Sequence, residues 1–225
     1  MKENQYILPI RILRYIFGLI FMAFGVAFSV NSDLGVSPVN SLPYVNSRIL
    51  KTDMGSCITG VFTCYILVQI ALLRKQFKLI DMFQLVLSGL FGCFANAAKS
   101  VLGDAMLFGT SYIGRLGMLA ISIVLIAVGL VMYLDVGLIN MPVEGMTAAI
   151  TNMQHDWSFH RVKIFVDCSA VGLAALLSVL FLGELRGIRE GTLLAAVFVG
   201  KLVPPMRAAL AKLEQSCSTK KELEV

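Results

Sequence analysis

Residues 136–146 read VGLINMPVEGM, placing a helix-breaking Pro142 and a carboxylate, Glu144, two turns beyond a nineteen-residue run, Leu116–Leu134, that carries no charge. About 104 residues earlier, LGVSPVNSL at 34–42 follows another apolar run and places Pro38 in the same relation to it. An uncharged run of this length matches the ~20 residues that span a hydrocarbon core. Proline suits the first turn of a helix, where its missing N–H would have no partner. A short helix is therefore expected to begin at each proline. It either dips into the membrane or lies along the surface, and the sequence leaves both open.

The composition supports the membrane reading. The chain is 57% hydrophobic and 15% charged, with a mean hydropathy of +0.81. Soluble domains carry about 25% charged residues. The expected class is all-α and polytopic, a single transmembrane domain over 1–225. The expected spans are Tyr15–Asn31, Cys57–Leu73, Leu79–Ala98, Leu116–Leu134, Ile164–Leu182 and Gly191–Leu210. The third holds Asp81 and the sixth holds Lys201 and Pro204-Pro205, so a count of five remains an alternative if the sixth is a half-span. The first run exceeds a signal-peptide core and is read as a retained helix.

Lys and Arg in the connections number twelve on the side of the N-terminus and six on the other, counted with six spans. The positive-inside rule then puts both termini in the cytoplasm. The net charge of +5 needs only an anionic lipid surface. Five cysteines (57, 64, 93, 168 and 217) show no paired spacing, so neither a disulfide framework nor a metal site is expected. His155 and His160 flank DWSF in a connection and read as solvated.

Sliding the chain by 104 residues aligns Arg11 with Arg115, Ala23 with Ala127, Gly25 with Gly129, Leu34 with Leu138, Pro38 with Pro142 and Val39 with Val143. A shift of 108 then aligns Ile80, Leu85 and Gly92 with Ile188, Leu193 and Gly200. Pro38, Pro142, Gly25 and Gly129 become structural landmarks of two repeats, about 11–102 and 115–210, followed by a cytoplasmic tail at 211–225. Three spans per repeat is odd, so the second enters the membrane inverted, a plan recurrent among secondary transporters. A duplicated scaffold without transport is the plainer alternative.

Four stretches resemble the YczE/YyaS/YitT-type bacterial membrane proteins: RILRYIFGLIFMAFGVAFSVNSDLGVSPVNSL at 11–42, MPVEGM at 141–146, RVKIFVDCSAVG at 161–172 and GIREGTLLAAVFVGKLVPP at 187–205. The resemblance implies a multi-spanning protein of the bacterial cytoplasmic membrane and supplies no activity.

Charges inside spans are costly and mark candidate sites. Lys201, about ten residues into the sixth span, is expected near mid-depth, with snorkelling as the alternative. Asp167 shares a helix face with Lys163 four residues earlier, or turns inward to balance Lys201. Glu144 stands where Asn40 stands in the other half. Asn96 is a hydrogen-bonding candidate, or helix adhesive. The expected substrate site comprises Lys201, Glu144, Asp167, Asn40 and Asn96, and Lys163 is read as a surface residue. With no nucleotide-binding or nucleophile motif, no catalysis is expected. The expected function is a secondary transporter or channel-like protein for a small polar or anionic solute, with a scaffold or accessory role as alternative. Partners are the lipid bilayer and an unidentified solute, with no nucleic acid and no cofactor. Homo-oligomerisation stays open.

Overall fold

Eight helices follow from these patterns in a computed structural model that describes residues 3–103, 111–153, 157 and 159–222. Side chains are described at 9–74, 76–103, 111–153, 157, 159 and 161–210, so His155, the side chain of His160 and Cys217 lie outside the described residues. The helices are α1 (Glu3–Ser32), α2 (Pro38–Leu50), α3 (Met54–Leu73), α4 (Phe83–Leu102), α5 (Tyr112–Val136), α6 (Pro142–Met153), α7 (Phe159–Leu182) and α8 (Glu190–Glu222). Among the described residues there is no strand.

Among the described residues, six segments are long and apolar enough to span a bilayer: Pro9–Ser32, Met54–Leu73, Leu79–Leu102, Tyr112–Val136, Arg161–Leu182 and Glu190–Leu210. The third opens with a 3₁₀ turn at Leu79–Met82, which absorbs Asp81 before the α-helix starts. The sixth runs unbroken through Pro204 and Pro205, so the count is six. Exposed side chains on these segments are large and apolar, among them Ile113, Val86, Leu180, Phe181 and Leu193. Only lipid would make that surface inexpensive.

The two halves share their punctuation. Both α1 and α5 stop at a left-handed residue, Asp33 (φ 53°) and Gly137 (φ 60°), which lie 104 apart in the chain. Both short helices then start at proline after a few non-helical residues. Arg115, at the start of α5, pairs at 3.0 Å with Asp33, at the end of α1. Arg11, near the start of α1, donates at 2.6 Å to the Val136 carbonyl at the end of α5.

The contacts are reciprocal as well. α1 packs along α5 at the centre of the molecule, α4 flanks α1, and α8 flanks α5. α2 packs on α7 and α3, while α6 packs on α3 and α7. Where α1 crosses α5, a Cβ at Gly18 would lie 2.8 Å from the Gly129 carbonyl oxygen. A Cβ at Gly25 would lie 3.0 Å from the Ser122 carbonyl oxygen. Ser122 and Gly129 stand 104 residues after Gly18 and Gly25, so each contact is the exchange of the other.

One pair breaks the pattern. α3 and α4 pack closely, with the backbones at Gly55 and Gly92 in direct contact, whereas α7 and α8 have no comparable packing. The described side chains of α8, at 190–210, are mostly exposed. Both α7 and α8 nevertheless contribute residues to one cavity, described below.

Candidate functional site

The non-helical segments after α1 and α5 must satisfy their own backbone at membrane depth. On one side, the Val36 N–H donates to the Gly187 carbonyl at 3.0 Å, and the Ser29 hydroxyl donates to the Gly35 carbonyl at 2.9 Å. On the other, the Tyr15 hydroxyl donates to the Ile139 carbonyl at 3.0 Å. Gln69 of α3 donates to the Pro142 carbonyl at 2.9 Å and to Gln84 of α4 at 3.1 Å. Both glutamines are buried, and they fix the start of α6 from two spanning helices.

These restraints bring the first turns of α2 and α6 to a common cavity of about 260 Å³. Pro38, Val39 and Asn40 line it from α2, and Val143 and Glu144 line it from α6. Met22 and Ile126, midway along α1 and α5, form a further part of the wall. The first turns of both short helices are therefore packed inside the helix bundle, against the cavity. Phe62 and Phe91, stacked with ring centroids 6.2 Å apart, close one end. Val39 and Val143, Asn40 and Glu144, and Met22 and Ile126 are each 104 residues apart, so equivalent positions of the two halves face one space.

The cation in the lining of this cavity is Lys163. Its ammonium lies 3.0 Å from Asp167 and 3.8 Å from Glu144, with about a quarter or less of each of the three side chains exposed. All three line the cavity. The i,i+4 pair with Asp167 is local to α7, but Glu144 arrives from α6, so Lys163 is no isolated surface residue.

Lys201 is a correction. It lies on the exposed face of α8 and does not line the cavity, although its neighbour Gly200 does. Depth along a helix does not fix which face a residue takes, and α8 packs mainly on α5. Asp167 thus balances Lys163, not Lys201.

Asn96 is also placed elsewhere. Its side-chain oxygen accepts from the Gly55 N–H at 2.8 Å, and its amide donates to Asp53 at 2.6 Å. It locks α4 to the start of α3, where Asp53 also caps the Ser56 N–H at 2.7 Å. These bonds, led by that from Asn96, hold the Asp53 carboxyl down to about 2, from an ordinary 3.8. A depressed carboxyl stabilises fully above its unfolded value, and the contribution is lost as pH falls through about 2. Asn96→Leu is expected to lower stability by about 1–2 kcal/mol, read as an earlier thermal transition in detergent, without changing ligand binding at the cavity.

Three buried polar atoms lack a hydrogen bond among the described residues: Asn40 Oδ1, Glu144 Oε2 and the Tyr133 hydroxyl. Asn40 is 6% exposed, and its amide nitrogen donates to Ser37 Oγ at 2.9 Å, leaving the oxygen over. Two of the three orphans thus belong to the pair of equivalent cavity residues.

A family described as of unknown function, DUF6198, matches residues 9–207. The chain belongs to this family. The matched range takes in all six spans apart from the last few residues of the sixth, together with both short helices. A relative among curated proteins, the uncharacterized protein YyaS of Bacillus subtilis (strain 168), is 23% identical over 190 residues. The alignment covers 84% of this chain and 88% of the relative. No solved structure matches the chain.

Proposed function

We propose that this DUF6198 member is a secondary transporter of a small solute, with the mid-depth cavity as its binding site. The observation that carries the reading is the convergence of α2 and α6 on one cavity beside the Lys163–Glu144–Asp167 cluster. Charged groups inside spans are costly, and function is the usual reason to keep them. Matched helix ends and the reciprocal glycine contacts support two inverted repeats, whose interface is where alternating-access transporters hold substrate. The charge count of the connections supports cytoplasmic termini. The anionic-solute expectation rested on a central Lys201. With Lys201 outside, two carboxylates against one ammonium favour a different class, taken up below.

A scaffold would have no use for a partly enclosed space with orphaned acceptors, which cost free energy if left dry. Gly200 offers a clean test. A Cβ there meets nothing within 4 Å, yet the residue lines the cavity. Gly200→Phe should fill the space while leaving the helix packing intact. Proteoliposomes of wild-type protein incubated with a cell extract are expected to accumulate a solute, identified by mass spectrometry of the lumen, that the Gly200→Phe vesicles lack. Identical contents in both would overturn the transport reading.

A further inference from the structure

Resting on the cavity as a solute site, we infer that its ligand is a protonated amine carried on a compact apolar body. Three independent features select that chemistry. The wall beyond the polar end is built from apolar side chains, with Met22, Phe62, Phe91, Ile126, Leu130 and Val199 among them. Ligand sites of this kind bind through apolar area and are oriented by a few polar groups.

The second feature is charge. Glu144 and Asp167 contribute two negative charges to the lining, and Lys163 contributes one positive charge. Lys163 sits closer to Asp167 (3.0 Å) than to Glu144 (3.8 Å), so Glu144 is the carboxylate with capacity to spare. A second cation beside Glu144 would complete a four-charge cluster at zero net charge. An anion would instead add to the excess.

The third feature is the hydrogen-bond inventory. Asn40 Oδ1 and Glu144 Oε2 are acceptors, buried, and without a hydrogen bond among the described residues. Asn40 and Glu144 line the cavity from equivalent first-turn positions of α2 and α6, so an ammonium seated between the two helix starts meets acceptor-bearing side chains from both. The Tyr133 hydroxyl faces the Glu144 carboxylate as a competing neutral donor, which leaves Asn40 Oδ1 as the acceptor without a protein donor among the described residues. A carboxylate ligand has no proton to give either oxygen. The first-turn N–H groups of α2 and α6 pull the other way, toward an anion. In α6 that preference is met by Glu144 itself, in the helix's own first turn.

The sparse packing of α7 on α8 suits an amphiphile. Ile164 and Asp167 of α7 and Ala196 and Gly200 of α8 line the cavity. Ile164 is half exposed.

The test uses three probes of matched length: n-hexylammonium, n-hexanoate and n-hexanol. Binding to the purified full-length protein is measured by calorimetry and by the shift of the thermal transition. Hexylammonium is expected to bind at least about tenfold tighter than hexanol or hexanoate. Glu144→Gln should weaken hexylammonium about tenfold while leaving hexanol unchanged, because the Lys163–Asp167 pair remains. Asn40→Asp, which adds a carboxylate at the equivalent place, should tighten it several-fold. Lys201→Gln, outside the cavity, should have no effect on any probe. Hexanoate binding in preference to hexylammonium, with loss in Lys163→Gln, would overturn the amine and leave the solute site standing. Equal binding of hexylammonium by wild type, Glu144→Gln and Asn40→Asp would overturn the amine as well. Failure of all three probes to bind, together with no difference between wild type and Gly200→Phe in vesicle uptake, would remove both the amine and the transport reading.

Discussion

Lys163→Met is expected to lower the stability of the purified protein by about 2–4 kcal/mol, whereas Lys201→Met leaves it near wild type. The asymmetry follows from what each ammonium faces. Lys163 holds two carboxylates from two helices, Glu144 of α6 and Asp167 of α7, and all three side chains are mostly buried. Removing the cation leaves two like charges facing each other across a confined space. Breaking a fully buried pair costs about 3–5 kcal/mol, and the partial exposure here trims that range. Lys201 stands exposed on α8, with no cavity contact to lose. Lys163→Arg should retain most of the stability, because charge is kept. Thermal unfolding in detergent checks the set. Equal loss in the Lys163 and Lys201 variants would mean that the charge cluster has been wrongly located.

The second large effect lies where α1 and α5 cross. Gly129→Leu is expected to prevent accumulation of folded protein, while Gly200→Leu expresses normally. A Cβ at Gly129 would stand 2.5 Å from the Gly18 carbonyl oxygen and 2.8 Å from the Met22 nitrogen. Both are atoms of a backbone that cannot move without separating the central helix pair. Over-packing in a fitted core typically costs about 1–3 kcal/mol and more where backbone must shift. Close approach through small residues is also what binds helices in lipid, where the hydrophobic effect gives no help. Gly18→Leu should match Gly129→Leu, because the two glycines face one another. Size-exclusion profiles of the solubilised variants read the outcome. A monodisperse, thermally stable Gly129→Leu protein would show that the crossing is looser than described.

What could be read from the sequence is what depends on runs and spacing. The six spans followed from predominantly apolar stretches of spanning length, and the helix starts from Pro38 and Pro142. The offset of 104 residues matched Asn40 with Glu144 in the sequence, and both line the cavity. What depends on which face a helix turns inward was less legible. Lys163 and Asp167 could be paired by their i,i+4 spacing, but the arrival of Glu144 depends on how α6 lies on α7. Lys201 was assigned by depth alone, and the sparse packing of α8 turned it outward. Gln69 and Gln84 escaped notice because they are uncharged. The signal was present, since a long amide inside or at the edge of a span seeks a partner, and here it finds the Pro142 carbonyl. Asn96 carried the same signal and proved to be a helix lock.

Native mass spectrometry of the full-length protein, released from its membrane in mild detergent, tests the cavity as a solute site most directly. Wild-type protein is expected to carry one small molecule per chain. The same preparation of Glu144→Gln should carry it at a tenth or less of that occupancy, and Gly200→Phe should carry none. A wild-type protein without the added mass, or one whose adduct survives equally in both variants, would contradict the assignment of a solute to the space between α2 and α6.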